Sequence, residues 1–346
     1  MYHIKMGVNI SSKAKNEFVT NKLIPFLEVV VQENYYFTRG ISVIPVIDLF
    51  IKTTEERMTY IYSKLQQLFD QFVESLDEAD IQENIFYVNN QRNIRKVNGY
   101  KVRRNIDNLA IDYMKIDTIE RYGEYNHTGD KEIYTEYFFA CQHLLERSIK
   151  YLYCKEEEHQ LLLLFGMFYC ASKQLDKTGI GRGYLSFKSH LLGFLNYKHK
   201  DMYQYKVIFK KKYEELENVL KEMINCLEGQ KVSWDSGMLY KEMIELIRLW
   251  EDLFTHLYDR LLQEELTSEN AKKNKIKLWI QHMKFRKLSD FHNKVFSNKN
   301  RSFFEQDEFQ AYRMLVNFVY LLLPAMGLSS RKRVEASYFL VSALEK

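Results

Sequence analysis

One change of hydrophobic period divides this chain of 346 residues. In the first third, apolar letters alternate in "YHIKMGVNI" from Tyr2 and form short aromatic and β-branched runs in "YYFTRGISVIPVIDLFIK" from Tyr35 to Lys52. From Lys131 to the end they recur at three and four, most clearly in "KKYEELENVLKEMINCLE" and "MLYKEMIELIRLWEDLFTHLYDRLLQEEL". A period of two belongs to strands and a period near 3.6 to helices. The expectation is therefore an α+β protein, with a small antiparallel sheet in the N-terminal third followed by a mainly helical remainder.

Local signals fill in the order. Ser11 or Ser12 can cap a helix running to about Gln32. Tyr35–Lys52 reads as a strand pair broken near Gly40–Pro45. "TTEERMTYIYSKLQQLFDQFVESL" opens on a threonine cap and carries a helical stripe of Met58, Ile61, Leu65, Leu68 and Phe72. Strand character returns from Asn84 to about Tyr122, where Asn98–Gly99 suits a tight hairpin turn. The chain has three prolines, Pro25, Pro45 and Pro324, and no linker rich in Gly, Ser or Pro. It reads as a single domain, 1–346, with a mixed part at 1–130 and a helical part at 131–346.

Composition excludes several classes. Apolar residues make up 46% of the chain, enough for a sizeable core, and a net charge of +4 does not announce nucleic acid. Cys141, Cys154, Cys170 and Cys226 form no C-x-x-C pair, which points to a reducing cytoplasm and no structural zinc. The longest apolar run, Leu161–Ala171, is far short of the ~20 residues that cross a bilayer, so no membrane association is expected. P-loop, dinucleotide, nucleophile-elbow and zinc-protease signatures are all missing, and no two histidines stand three or four apart, so no metal site is expected.

Two acid-free segments stand out. Asn84–Ile106 holds Arg92, Arg95, Lys96, Lys101, Arg103 and Arg104, and Asn270–Ser289 holds four lysines from Lys272 to Lys277 with Lys284, Arg286 and Lys287. Each reads first as a solvated face, and second as a groove for an acidic peptide or nucleic acid. "KTGIGRGYLSFKSHLLGF" reads as a glycine-rich connection between helices, with no strand before it to make a phosphate cradle. Arg39 and Asp48, placed inside strands that otherwise ask to be buried, must be paired or used, because an unpaired buried charge costs several kcal/mol.

Three segments together resemble one family. "YYFTRG…VIDLFIK" resembles the aromatic-aromatic-x-Arg strand, and the strand after it, of the thiopeptide-type bacteriocin biosynthesis domain. That domain also forms the C-terminal glutamate-elimination part of lantibiotic dehydratases. "IERYGEYNHTGDKEIYTEYFFACQHLLERSI" is similar to the family's Glu-Arg-Tyr-Gly segment and following helix, and "YRMLVNFVYLLLPAMGLSSRKRVEASYFLVSALE" to its C-terminal helices and Gly-Leu-Ser turn. Eliminating members carry a His-Ile-Arg-Leu-Arg-like pattern in the second strand. Here those positions are Val46, Ile47, Asp48, Leu49 and Phe50, while Arg313 and Phe318 replace a His and an Arg of the C-terminal helix.

Loss of cations that would receive a departing carboxylate argues against elimination. A stand-alone chain with the scaffold kept resembles the thiopeptide pyridine synthases. That resemblance implies a cofactor-free macrocyclase forming a pyridine by formal aza-[4+2] cycloaddition of two dehydroalanines, with loss of water and leader peptide. The implied partner is a dehydrated, azole-containing precursor peptide with an acidic leader, with no nucleic acid and with a homodimer left open. Glutamate elimination from glutamylated Ser or Thr is the alternative within the family, and nucleic-acid binding the alternative from another class. Arg39, Asp48, Glu120, Tyr122, His127, His143, Arg313, Asn317 and Tyr320 are the expected catalytic groups, gathered at one pocket. Tyr320 or a histidine would move the proton, and Arg39 and Arg313 would hold the reacting amide oxygen. Arg95, Lys96, Lys101 and Arg103 are expected to bind the leader.

Overall fold

A computed structural model describes residues 1–32, 34–41, 44–81, 106–117, 119, 128–153, 155–179, 182–197, 201–230, 238–263, 303 and 306–345. The chain forms two compact units, one of Met1–Cys154 with Pro324–Gly327 and the other of Lys155–Leu323 with Leu328–Lys346. The Asn98–Gly99 turn and both acid-free basic segments lie outside the described residues.

The first unit holds an antiparallel sheet of β1 (Tyr2–Gly7), β2 (Tyr35–Ile41), β3 (Pro45–Ile51) and β4 (Ile111–Lys115), in the order β2-β3-β1-β4. Register follows from alternation. Ile4 pairs with Leu49 and Met6 with Ile47, so one face collects apolar side chains, with Phe37 opposite Leu49. At its edge Tyr113 meets Tyr62 of α3 (Glu55–Glu74), ring centroids 4.5 Å apart, and the Tyr62 hydroxyl donates to the Ile111 carbonyl at 3.2 Å. On the other face Tyr36 stacks at 4.6 Å on Phe138 of α4 (Thr128–Ala140), which precedes α5 (Gln142–Leu152).

The expected Ser-capped helix is present, and Ser11 Oγ accepts from the Ala14 amide at 3.1 Å. It runs as α1 (Ser12–Phe18), a π-helical turn at Val19–Leu23, α2 (Ile24–Phe26) and a second π-helical turn at Leu27–Val31. Pro25 has no N–H to offer to the preceding turn, and the wider turns flank it on both sides. In α3 the buried stripe is Met58, Ile61, Leu65, Phe69 and Phe72, which corrects the expected Leu68. Steps of three, four, four and three follow the 3.6 period, and Phe69 brings a ring against Phe18 at 5.7 Å.

The second unit is helical: α6 (Glu157–Asp176), α7 (Tyr184–Tyr197), α8 (Met202–Leu227), α9 (Met238–Gln263), α10 (Asp307–Leu322) and α11 (Ser330–Leu344). Every residue of α6 from Leu161 to Ser172 is buried, so this helix has no solvent face there and α7, α8, α9, α10 and α11 all pack on it. Gly166 admits α9, since a Cβ there would lie 2.3 Å from Ile247 Cδ1. Lys212 of α8 reaches Glu157 at 3.1 Å and the fully buried Glu335 of α11 at 3.0 Å, and these carboxylates hold its ammonium above the usual lysine range against the opposing effect of burial.

The glycine-rich connection is built for contact between backbones. Gly183 donates to Asp176 Oδ1 at 2.6 Å, and its carbonyl accepts from the Tyr312 hydroxyl at 2.6 Å. A Cβ on Gly183 would fall 2.0 Å from the Ser172 carbonyl oxygen, whereas one on Gly193 in α7 would meet nothing within 4 Å. Gly183→Ala is therefore expected to lower unfolding free energy by about 1–3 kcal/mol. Gly193→Ala is expected to raise it by about 0.5–1 kcal/mol, because alanine restricts the unfolded chain. Urea denaturation of the two variants checks this; equal behaviour would contradict the packing at Gly183.

Candidate functional site

Strand register decides where Arg39 and Asp48 go. Asp48 is the cross-strand partner of Thr38 and Lys5, and Arg39 of Ile47. Directly opposed residues share a face, so Asp48 and Arg39 project from opposite faces of the sheet. An ion pair between the two across the hairpin is thereby excluded, because alternation, which placed both in strands, also separates an even-numbered from an odd-numbered position.

Asp48 is instead the centre of a polar cluster on the face it shares with β1. His3 Nε2 lies 2.7 Å from Asp48 Oδ1, and Lys5 Nζ lies 3.8 Å from the same oxygen. All three are largely withdrawn from solvent: the side chains are 15% exposed for His3, 10% for Lys5 and 16% for Asp48. The His3 ring stacks on Phe50 at 4.6 Å, and Phe50 on Tyr36 at 6.2 Å. A carboxylate accepting from Nε2–H holds the imidazole as the tautomer whose Nδ1 can take a proton, while Lys5 supplies positive charge beside it. The arrangement is suited to moving a proton and to polarising an amide oxygen.

His3 and Lys5 were not among the residues expected from the sequence. Their signal was present, because in "YHIKMG" they alternate with the buried Ile4 and Met6 and so share a face. What they faced could not be read without the partner strand.

Arg39 lies on the other face. Its Nη1 donates to Asn16 Oδ1 of α1, and its Nε is buried with no acceptor among the described residues. Burial pushes its guanidinium down to about 10, still cationic at neutral pH. His143 is on the surface of α5, its side chain 74% exposed, with Nδ1 3.5 Å from Glu146 Oε2. The buried Glu146 accepts from the Tyr35 hydroxyl at 2.5 Å and from Gln142 at 2.9 Å. Burial, reinforced by that carboxylate, drives the Tyr35 phenol well above its usual range, so it serves as a donor. Glu120, Tyr122, His127, Arg95, Lys96, Lys101 and Arg103 lie outside the described residues.

Arg313, Asn317 and Tyr320 belong to α10 in the second unit, at the expected spacing on one side of the helix. The Tyr320 ring meets Phe168, Phe187 and His190 edge-on at 5.7, 6.0 and 4.8 Å, and the Arg333 guanidinium sits 4.9 Å from its centroid. Its hydroxyl is buried without a hydrogen bond of ordinary geometry among the described residues. Burial raises this phenol well above the usual tyrosine range, with Arg333 and Ser337 opposing. At neutral pH Tyr320 is protonated and can donate a hydrogen bond. Tyr312, also expected on this helix, is fully buried and bonded to Gly183, a packing role.

Among the described residues no group of three His, Cys, Asp or Glu side chains is placed to hold a metal ion, and no helix is long and apolar enough to cross a membrane. A cleft of about 190 Å³ lined by Val31, Gln32, Asn34, Lys52, Thr53 and Arg57 holds none of the expected site residues. Arg57 there already donates to the Val30 carbonyl at 2.6 Å, and Lys52 rests 4.3 Å from the Phe139 centroid. Among the described residues the cleft has no group to exchange a proton near neutral pH.

The chain combines one unit with an antiparallel sheet that carries a polar cluster and a second unit of helices packed on an all-buried helix. It has the fold of a structure described as pyridine synthase, TbtD, from thiomuracin biosynthesis, with a TM-score of 0.65 and 12% identity over 99% of this chain and 96% of that one. It also matches the crystal structure of TsrL, with a TM-score of 0.61 and 13% identity over 100% of this chain and 94% of that one. No protein-family model and no curated protein matches the sequence.

Asp48→Asn tests the cluster. Loss of the carboxylate charge leaves Lys5, 8% exposed, with less compensation, and a drop of about 1–3 kcal/mol in unfolding free energy is expected. The His3 imidazole resonances should shift at the same time. An unchanged midpoint and unchanged His3 signals would show that the cluster does not act as a unit.

Proposed function

We propose that the protein is an enzyme of thiopeptide biosynthesis acting on a ribosomal precursor peptide, and that residues 1–346 work as one biosynthetic domain. The reaction we propose is macrocyclisation: formal aza-[4+2] cycloaddition of two dehydroalanines, followed by loss of water and of the leader peptide to leave a pyridine. The observation that carries this reading is the fold shared with a pyridine synthase over 99% of the chain. The replacement of the family's second-strand cations by "VIDLF", with Asp48 held by His3 and Lys5, supports it further. Glutamate elimination needs cations for a departing carboxylate, and Asp48 presents a negative charge at that position.

Ring closure is mainly a problem of ordering two ends of one peptide, and pre-organisation alone is worth roughly 7–11 kcal/mol of barrier. The remaining steps need proton transfers to and from amide oxygen and nitrogen. Tyr320, kept neutral by burial, is suited to donate. His3, held by Asp48, is suited to accept, with Arg313 and Asn317 as hydrogen-bonding groups. Glu120, Tyr122, His127 and His143 remain proposed participants from the resemblance, and Arg95, Lys96, Lys101 and Arg103 the proposed contacts of an acidic leader.

Incubation with a dehydrated, azole-containing precursor should give a product lighter by one water and the leader, read by mass spectrometry. Dehydroalanine formation from a glutamylated precursor, without ring closure, would replace this reading by elimination. Tyr320→Phe should slow ring formation by about 10²–10⁴-fold, the typical share of a positioned acid. Its stability should change by no more than about 1 kcal/mol, since the lost hydroxyl makes no hydrogen bond of ordinary geometry among the described residues. Turnover like that of the parent would remove Tyr320 from the mechanism.

A further inference from the structure

One cluster of positive charge in the first unit has no opposite charge beside it among the described residues. Lys15 of α1 and Arg39 of β2 are both half-buried, and the hydrogen bond from Arg39 to Asn16, the residue after Lys15, brings the two cations into one neighbourhood. The hydrogen bond from Arg39 Nη1 goes to a neutral amide, that of Asn16, and its Nε has no acceptor among the described residues. Asp48, the nearest acid along the hairpin, projects from the other face of the sheet. Gly327, at φ +75°, brings its backbone against the guanidinium: a Cβ there would lie 2.8 Å from Nη1. A glycine is thus needed for the backbone to approach this guanidinium so closely.

Two withdrawn cations with no counter-charge among the described residues raise the energy of the folded state, and an anion from outside relieves it. A guanidinium offers a carboxylate parallel N–H donors, and an adjacent ammonium adds a third contact. We infer that Lys15 and Arg39 form a subsite that anchors a carboxylate of the substrate peptide, away from the Asp48 cluster on the opposite face of the sheet. Its occupant rests on the peptide-substrate reading above; the carboxylate comes from an acidic side chain or from the peptide C-terminus. Burial, then Arg39, brings Lys15 down to about 8, and Arg39 is the charged group acting on it among the described residues.

The sign follows. Between about 8 and 10.5 the unfolded chain holds a proton on Lys15 that the folded chain has lost, so stability rises with pH across that window. Anion binding runs the other way and weakens above pH 8, where the ammonium is neutral.

The test uses the full chain and two probes, N-acetylglutamate α-methylamide for a side-chain carboxylate and N-acetylglycine for a C-terminal one, titrated while the Arg39 Nε–H resonance is followed by NMR. At pH 7 one of them should saturate that signal, with affinity about tenfold weaker at pH 9, as loss of one charge-assisted contact requires. Lys15→Met should lose the pH dependence of binding and the rise in stability between pH 8 and 10.5. Lys15→Glu, which places an internal carboxylate beside Arg39, should abolish probe binding and raise the melting temperature. Precursor peptide should bind Lys15→Glu at least tenfold more weakly than the parent. Equal precursor binding to both, with no response to either probe, overturns the subsite and leaves the peptide reading intact. Probe saturation with no precursor binding to the parent overturns the peptide as occupant.

Discussion

A helix with no polar side has to be surrounded, and α6 sets that condition for the second unit. From Leu161 to Ser172 every residue is buried, including Gly166 and Ser172. No single neighbour can cover such a helix, so five other helices pack on it. The close approaches follow from the same need: Gly166 makes room for Ile247, and Gly183 lets the start of α7 rest on the Ser172 backbone. Ser172 can be buried because its hydroxyl donates to the Tyr169 carbonyl at 2.8 Å. The Tyr320 hydroxyl, enclosed by rings, has no hydrogen bond of ordinary geometry among the described residues, and neither has the buried Arg333 Nε.

In the first unit the corresponding condition is the withdrawal of charge from water. The sheet carries Lys5 and Asp48 on one face and Arg39 on the other. On the first face the charges meet, with His3 as the third member. On the second they do not, because Lys15 and Asn16 bring a like charge and a neutral amide to Arg39. The two faces therefore lend themselves to different tasks: a compensated cluster holds a proton in place, and an uncompensated one attracts an anion.

Much of the fold was legible because it depends on period. The strands at Tyr2, Tyr35 and Pro45, the serine-capped helix and the long helices of the second unit all follow from alternation, caps and 3.6-residue stripes. The misplacement of Leu68 for Phe69 shows the limit of that signal, since adjacent apolar letters leave the angle of the stripe open and the ring of Phe18 decides it. The likeness to a thiopeptide enzyme was legible too, through "YYFTRG", "VIDLF" and the C-terminal helix, although identity to the solved structures is only 12–13%.

The site was legible by residue type and not by partner. That Asp48 and Arg39 sit in strands, that His3 and Lys5 share a face, and that Arg313, Asn317 and Tyr320 share another are properties of a chain read against a known period. Which charge meets which is not such a property, because it depends on strand order and register between segments more than forty residues apart, as for His3 and Asp48. Tertiary structure alone set Asp48 between His3 and Lys5, turned Arg39 toward Lys15 and Gly327, and enclosed the Tyr320 hydroxyl. The physical reason is that local periodicity selects the face on which a side chain lies, whereas the energy of a charge or a hydroxyl depends on what the rest of the chain brings to that face.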